Sequence, residues 1–215
     1  MKTLYEDSDI IVCEKNVGVI SQHAPDGSGA EDLVRSKYGY AAVINRLDTA
    51  VGGTILLAKN APAASALSAL SANHKIDKTY MAVVEGIPDE PKGIFEDLLF
   101  KDSSKNKSFV VKRERKGVKK ASLEYEVIAT AAHGQKTLSL VRIKLHTGRT
   151  HQIRVQFSSR KMPLCGDGKY GSKNNKCSVA LWCLNLSFAL PESGRLIDVT
   201  SRLPDTYPWN LFCEA

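Results

Sequence analysis

The sequence predicts an α+β protein built on a long mixed, mainly antiparallel sheet with flanking helices and loops. Strand-like segments outnumber helical ones, and most follow one another through the second half of the chain. Only three stretches carry helical spacing, and no internal repeat or low-complexity tract interrupts the order.

Taken in order, Ile10 to Cys13 reads as a first strand. A Gly- and Ser-rich loop (Ala24 to Gly29) then leads into a helix near Ala30 to Lys37. Two apolar runs, Ala41 to Ile44 and Ile55 to Ala58, bracket Asn45, Arg46, Leu47 and Asp48. Asn60 is placed to cap a second helix, with Pro62 in its first turn and Ala63, Ala66, Leu67 and Leu70 on one face. Further strands are expected near Thr79 to Glu85, Phe109 to Lys112, Ala121 to Ala129, Thr137 to Lys144, Val179 to Ala189 and Leu196 to Val199. Arg142 to Leu145 alternates like a strand, His146 to Gly148 reads as a turn, and Arg149 to Arg160 reads as a helix with Ile153 and Phe157 on one face.

With 215 residues, 43% hydrophobic and 25% charged, the chain can bury a sizeable core in one domain or a lobed pair. No apolar run approaches the length needed to cross a bilayer, and the acidic, polar start (Met1 to Asp9) argues against a signal peptide. The five cysteines form an odd set without a Cys-x-x-Cys pair, so reduced thiols and a cytoplasmic address are expected. No His or Cys cluster has zinc spacing, and no metal is expected.

The four residues Asn45 to Asp48 carry the strongest chemical signal. On an extended segment Arg46 and Asp48 share a face, which places an ionisable pair inside an expected core. A carboxylate beside an arginine has its charged form favoured, which suits a nucleophile or base and not a proton donor. Standing alone, an Arg-x-Asp would read as a structural ion pair at a strand end. Arg149, His151 and Arg154 crowd a helix start, where amides and the dipole already favour anions. Their expected anionic partner is Asp48, a phosphate, or both.

At these residues the chain resembles the RluA family of RNA pseudouridine synthases. Asn45 to Lys59 (NRLDTAVGGTILLAK) is similar to the family's signature around its catalytic aspartate, HRLDxxTSGLLLLAK. The resemblance extends to Leu4 to Gly18 (LYEDSDIIVCEKNVG, with its lysine-bearing turn), Lys78 to Gly86 (KTYMAVVEG), His146 to Val155 (HTGRTHQIRV) and Pro163 to Gly171 (PLCGDGKYG). It covers nearly the whole chain, in order.

The resemblance implies an isomerase that breaks the bond from ribose C1′ to uracil N1, turns the base and rejoins C1′ to C5, without cofactor or redox change. It implies Asp48 as the catalytic carboxylate, acting on the ribose or on the uracil ring. Arg154 would pair with Asp48, and Tyr80 would line the pocket, stacking on uracil and serving in a proton transfer. Read without the family, Tyr80 is an ordinary core tyrosine. Arg46 would enter the RNA stack when the uridine is extruded, and Arg149, Thr150 and His151 would contact RNA, His151 alternatively packing at the helix start. The family's catalytic opening falls almost at the start of this chain. A single catalytic domain over residues 1–215 is therefore expected, without the small RNA-binding domain many relatives carry.

The chain departs from the family pattern at Asn45 (usually His), Val51 and Gly52 (usually Thr and Ser), Gln156 and Met162 (commonly His), and Trp182 (frequently His). Loop geometry and substrate fit are the properties these changes touch. The net charge of +7 is concentrated in Lys101 to Lys120 (KDSSKNKSFVVKRERKGVKK), read as a basic hairpin insertion. Lys112, Arg113, Arg115 and Lys116 make it a candidate RNA contact, or else a solvated edge kept basic against strand pairing. The expected partner is a ribosomal or transfer RNA stem-loop, bound by a monomer with no membrane contact. The competing class is a noncatalytic RNA-binding or folding factor on the same scaffold; Asp48, Tyr80 and Arg154 together speak against it.

Overall fold

A computed structural model describes residues 1–134, 136–191 and 193–212. Its described residues form eleven strands and three α-helices, a mixed and mainly antiparallel α+β fold. Two compact units share them. The first takes Met1–Thr79 and Trp182–Leu203, the second Tyr80–Leu181 and the chain from Pro204 onward. No helix among the described residues is long and apolar enough to cross a membrane.

The first unit is organised around β4 (Gly52–Ala58), in which every residue is buried. A strand buried on both faces must read as a continuous apolar run, which is why GGTILLA does not alternate. β1 (Lys2–Glu6) pairs with β2 (Ile10–Lys15), and β2 pairs with β4 along its length, both antiparallel. β4 also pairs antiparallel with the short β3 (Ala42–Val43) near its end. At its start β4 pairs with β10 (Leu181–Ala189), Trp182 facing Gly52 and Cys183 facing Gly53; this pairing is parallel. β11 (Leu196–Thr200) closes antiparallel on β10.

Helix α1 (Ala30–Tyr38) lays Ala30 and Val34 on Ile11, Cys13, Ile55 and Leu57, the in-phase residues of β2 and β4. Helix α2 (Ala61–Ala72) starts as the sequence predicts. Asn60 Oδ1 accepts from the Ala63 amide at 2.9 Å, Pro62 occupies the first turn, and Ala64 joins Leu67 on the buried side.

The second unit carries the order β5-β9-β8-β6-β7: β5 (Asp77–Glu85), β9 (Lys136–Leu145), β8 (Val118–His133), β6 (Lys92–Asp102) and β7 (Lys107–Val111). Helix α3 (Gln152–Ser159) lies on its β6 and β7 side. Val155 packs with Leu99, Ala121 and Tyr170, and Phe157 meets the rings of Phe95 and Tyr125. Residues 101–120 run from the end of β6 through β7 and an exposed loop, 112–117, into β8.

Two departures from the family pattern answer each other inside the first unit. A Cβ at Gly52 would lie 2.2 Å from Cζ3 of Trp182, so this tryptophan excludes any side chain at position 52. The indole fills the space and donates from Nε1 to Ser201 Oγ at 2.9 Å, while Thr54 Oγ1 sits 3.1 Å from the same hydroxyl. Gly52→Ala should therefore overpack the strand at a cost of about 1–3 kcal/mol. Thermal melting of Gly52→Ala, Trp182→Leu and the double variant checks it: the alanine should cost much less once the ring is gone.

Candidate active site

Asp48 lies half-buried on the loop that joins β3 to β4. That loop is fixed on both sides of the carboxylate. Asn45 is buried and clamps the neighbouring strand, its Nδ2 donating to Thr54 O at 3.2 Å and its Oδ1 accepting from Leu56 N at 2.7 Å. Leu47 turns inward and donates its amide to Ser21 Oγ at 3.0 Å, and Ser21 returns a bond to Leu47 O at 2.7 Å. Val51 N donates to Asp48 O at 2.9 Å, and Gly18 N donates to Thr49 O at 2.7 Å. The asparagine that replaces the usual histidine is thus a backbone clamp.

The alternation expected over 46–48 is present, with Arg46 and Asp48 more exposed than Leu47. An arginine inside the core is not. β3 ends at Val43, residues 44–51 are loop, and Arg46 is exposed with Nη1 donating to Gln22 Oε1 at 3.4 Å.

Among the described residues the cation buried in this unit is Lys15, which the sequence did not single out as a site residue. It ends β2 in phase with Ile11 and Cys13 and is fully buried. Its ammonium donates to Asn16 O at 3.1 Å and Val19 O at 2.7 Å. Burial lowers its pKa to about 8, against the opposing pull of the Asp48 charge. A lysine closing an otherwise apolar strand on its inward phase was the available signal.

In the second unit Tyr80 is buried on β5, with 6% of its surface exposed. Arg154 projects from α3 into a buried bidentate pair with Asp167. Nε donates to Oδ2 and Nη2 to Oδ1, both at 2.7 Å. This fork geometry is the strong form of a charge-assisted pair. The guanidinium also sits 5.1 Å from the Tyr170 ring centroid. Asp167, within PLCGDGKYG, was not among the anions expected for the basic cluster. Residue order does not reveal that this loop returns to α3.

The other basic residues take separate places. His151 adopts a left-handed conformation (φ 53°), so α3 begins at Gln152 and not at Arg149. Its Nδ1 stands 3.0 Å from Tyr170 Oη, which accepts from Ser108 N at 2.8 Å. Arg149 Nε donates to Lys120 O at 3.0 Å, and Thr150 O accepts from Ser108 Oγ at 2.6 Å. Lys112, Arg113, Arg115 and Lys116 are exposed on the β7–β8 loop, with Arg115 over the Phe100 ring at 4.7 Å. Gln156 is buried and donates to Phe95 O and Asp97 Oδ2. Among the described residues no cluster of three His, Cys, Asp or Glu side chains could hold a metal ion.

Residues 9–159 match the family of RNA pseudouridylate synthases. An uncharacterised RNA pseudouridine synthase of Haemophilus influenzae is 30% identical over 82% of this chain and 76% of its own length. A ribosomal large subunit pseudouridine synthase D of Zymomonas mobilis is 29% identical over 95% of this chain and 69% of its own. The human RNA pseudouridylate synthase domain containing 1 shares the fold with a TM-score of 0.80 at 21% identity, covering 95% of this chain and 84% of that one. The chain belongs to the RluA-type family of RNA pseudouridine synthases, which are isomerases.

The lysine carries a pH signature. Its folded pKa lies below the unfolded value near 10.5, so the unfolded chain binds more protons between about pH 8 and 10.5. The penalty of the buried charge is fully present below pH 8. It is relieved as pH rises through that window, by up to about 3 kcal/mol. Stability of the native protein relative to Lys15→Met, followed by urea unfolding, should climb from pH 8 to 10.5. A flat difference would mean that Lys15 keeps its ordinary pKa.

Proposed function

We propose that this protein isomerises uridine to pseudouridine in a structured ribosomal or transfer RNA, with Asp48 as the nucleophile. The bond from C1′ to N1 breaks, the uracil turns, C1′ joins C5, the proton displaced from C5 leaves to solvent or a protein base, and N1 takes up a proton in its place. The observation that carries the assignment is a half-buried carboxylate on a loop tied down on both flanks, in the field of a buried ammonium. Pre-set geometry of this kind spares reorganisation when charge develops.

Tyr80 and Arg154 are assigned to the same uridine. Arg154, oriented by Asp167, would pair with Asp48 and hold it for attack, and Tyr80 would stack on the uracil and handle a proton. Arg46 is exposed, as a residue that enters the RNA stack must be. Arg149, Thr150 and His151 are assigned to RNA contacts, with Lys112, Arg113, Arg115 and Lys116 on the backbone phosphates. The protein would act as a cytoplasmic monomer. The product has the formula of the substrate, so the reaction would consume no co-substrate.

Tritium release from RNA labelled at uracil C5 tests the assignment. The native protein should release tritium from total cellular RNA and Asp48→Asn should not. Equal release from both excludes the nucleophile, and none from either excludes the activity. The basic loop is tested by salt. If it helps neutralise about five phosphates, the log-log slope of affinity should be near −3.5 on single strands. Neutralising Lys112, Arg113, Arg115 and Lys116 together should flatten that slope and spare turnover at saturating RNA. An unchanged slope removes the loop from the interface.

A further inference from the structure

The thiols of Cys165 and Cys177 face each other in the second unit with their sulfurs 3.7 Å apart. The catalytic reading uses neither. Cys165 is fully buried and sits in a small ladder, its amide donating to Val83 O and its carbonyl accepting from Ala180 N, both at 2.8 Å. Cys177 lies half-buried in irregular chain between exposed Lys176 and Ser178. The two segments touch: a Cβ on Gly166 would lie 2.3 Å from Ser178 O and 2.6 Å from Cys177 O. Between the cysteines runs the loop with Asp167, Arg154's partner, and Tyr170, which lies under the same guanidinium.

We infer that Cys165 and Cys177 are a redox modification site, closing into a reversible intramolecular disulfide when the protein meets a small-molecule disulfide. The hydrogen bond to Cys165 and burial push the Cys177 thiol up, which makes the first step the slow one: Cys177, the sulfur nearer solvent, gives its proton to water and attacks the oxidant RSSR, forming a mixed disulfide and one thiolate. Cys165 then attacks Sγ of Cys177 and expels the second thiolate. Two protein thiols are oxidised, and one RSSR is reduced to two RSH. The contact with Cys177 and hydrogen bonds from Tyr207 and Asn174 hold the Cys165 thiol below the ordinary range; the latter two persist once Cys177 is in the mixed disulfide, and they favour Cys165 as the second nucleophile.

The sulfurs must close from 3.7 Å to about 2 Å. Cys165 is held at both backbone groups, so Cys177 makes the movement and Asp167 keeps its place. The bond therefore staples the loop under Arg154 without unseating the ion pair. Shortening the open loop of the unfolded chain should raise the thermal midpoint by about 5 °C.

The whole protein is incubated with oxidised glutathione, digested without reductant and analysed by mass. The expected products are a fragment joining residues 165 and 177, a mass lower by two hydrogens, and a raised midpoint that reductant reverses. Cys177→Ser should show none of these. A lasting glutathione adduct on Cys177, a bond to Cys13, Cys183 or Cys213, no oxidation, or a lowered midpoint would each overturn the inference. It depends on thiol geometry alone, so failed tritium release would leave it standing.

Discussion

Burial of the Lys15 ammonium is the constraint around which the first unit is arranged. A charge removed from water must be met by polar atoms or lose its proton. Here the turn after β2 bends back so that Asn16 and Val19 present their carbonyls, and the same turn reaches the Asp48 loop through Gly18 and Thr49. The Asp48 charge supplies the rest of the compensation, yet desolvation still wins and the pKa falls to about 8. The lysine thus remains mostly charged at neutral pH. The carboxylate gains a fixed cationic neighbour whose position is set by main chain.

The second unit handles its buried cation differently, and the two side chains explain why. An ammonium is a compact charge that can shed its proton, so two carbonyls and the charge of Asp48 suffice for Lys15. A guanidinium stays charged and presents a planar fork, so Arg154 requires a matching bidentate carboxylate, which Asp167 supplies from full burial. Removing Arg154 would strand the buried Asp167 carboxylate, at a cost of roughly 3 to 5 kcal/mol. The loop bearing Asp167 is accordingly tied at several points. Ser172 donates to Glu85, and Asn174 donates to Cys165 Sγ.

Local chemistry was legible where neighbours in sequence decide it. Asn60 and Pro62 announce α2, and Arg142 to Leu145 alternate on β9 before the turn at His146. β1 and β6 escaped notice. β1 is an edge strand with little buried surface, and KGIFEDLLFKD in β6 does not alternate, because Asp97, in phase with buried Phe95 and Leu99, is paired with Gln156 and Arg160 while Ile94 on the other phase is exposed. The start of α3 was misread because a left-handed histidine looks helical in sequence. The Arg154–Asp167 pair and the fit of Trp182 over Gly52 join residues 13 and 130 positions apart, so no local pattern encodes them. Lys15 was visible, but its importance depends on the depth of burial, which only the packed unit defines.

The field between Lys15 and Asp48 can be read directly from the titration of the Lys15 ammonium, followed by NMR of labelled Nζ. Native protein should titrate near pH 8, and Asp48→Asn should titrate lower, since the carboxylate that favours the proton is gone. A midpoint near 10.5, or one that ignores the substitution, would contradict a buried cation coupled to the Asp48 carboxylate.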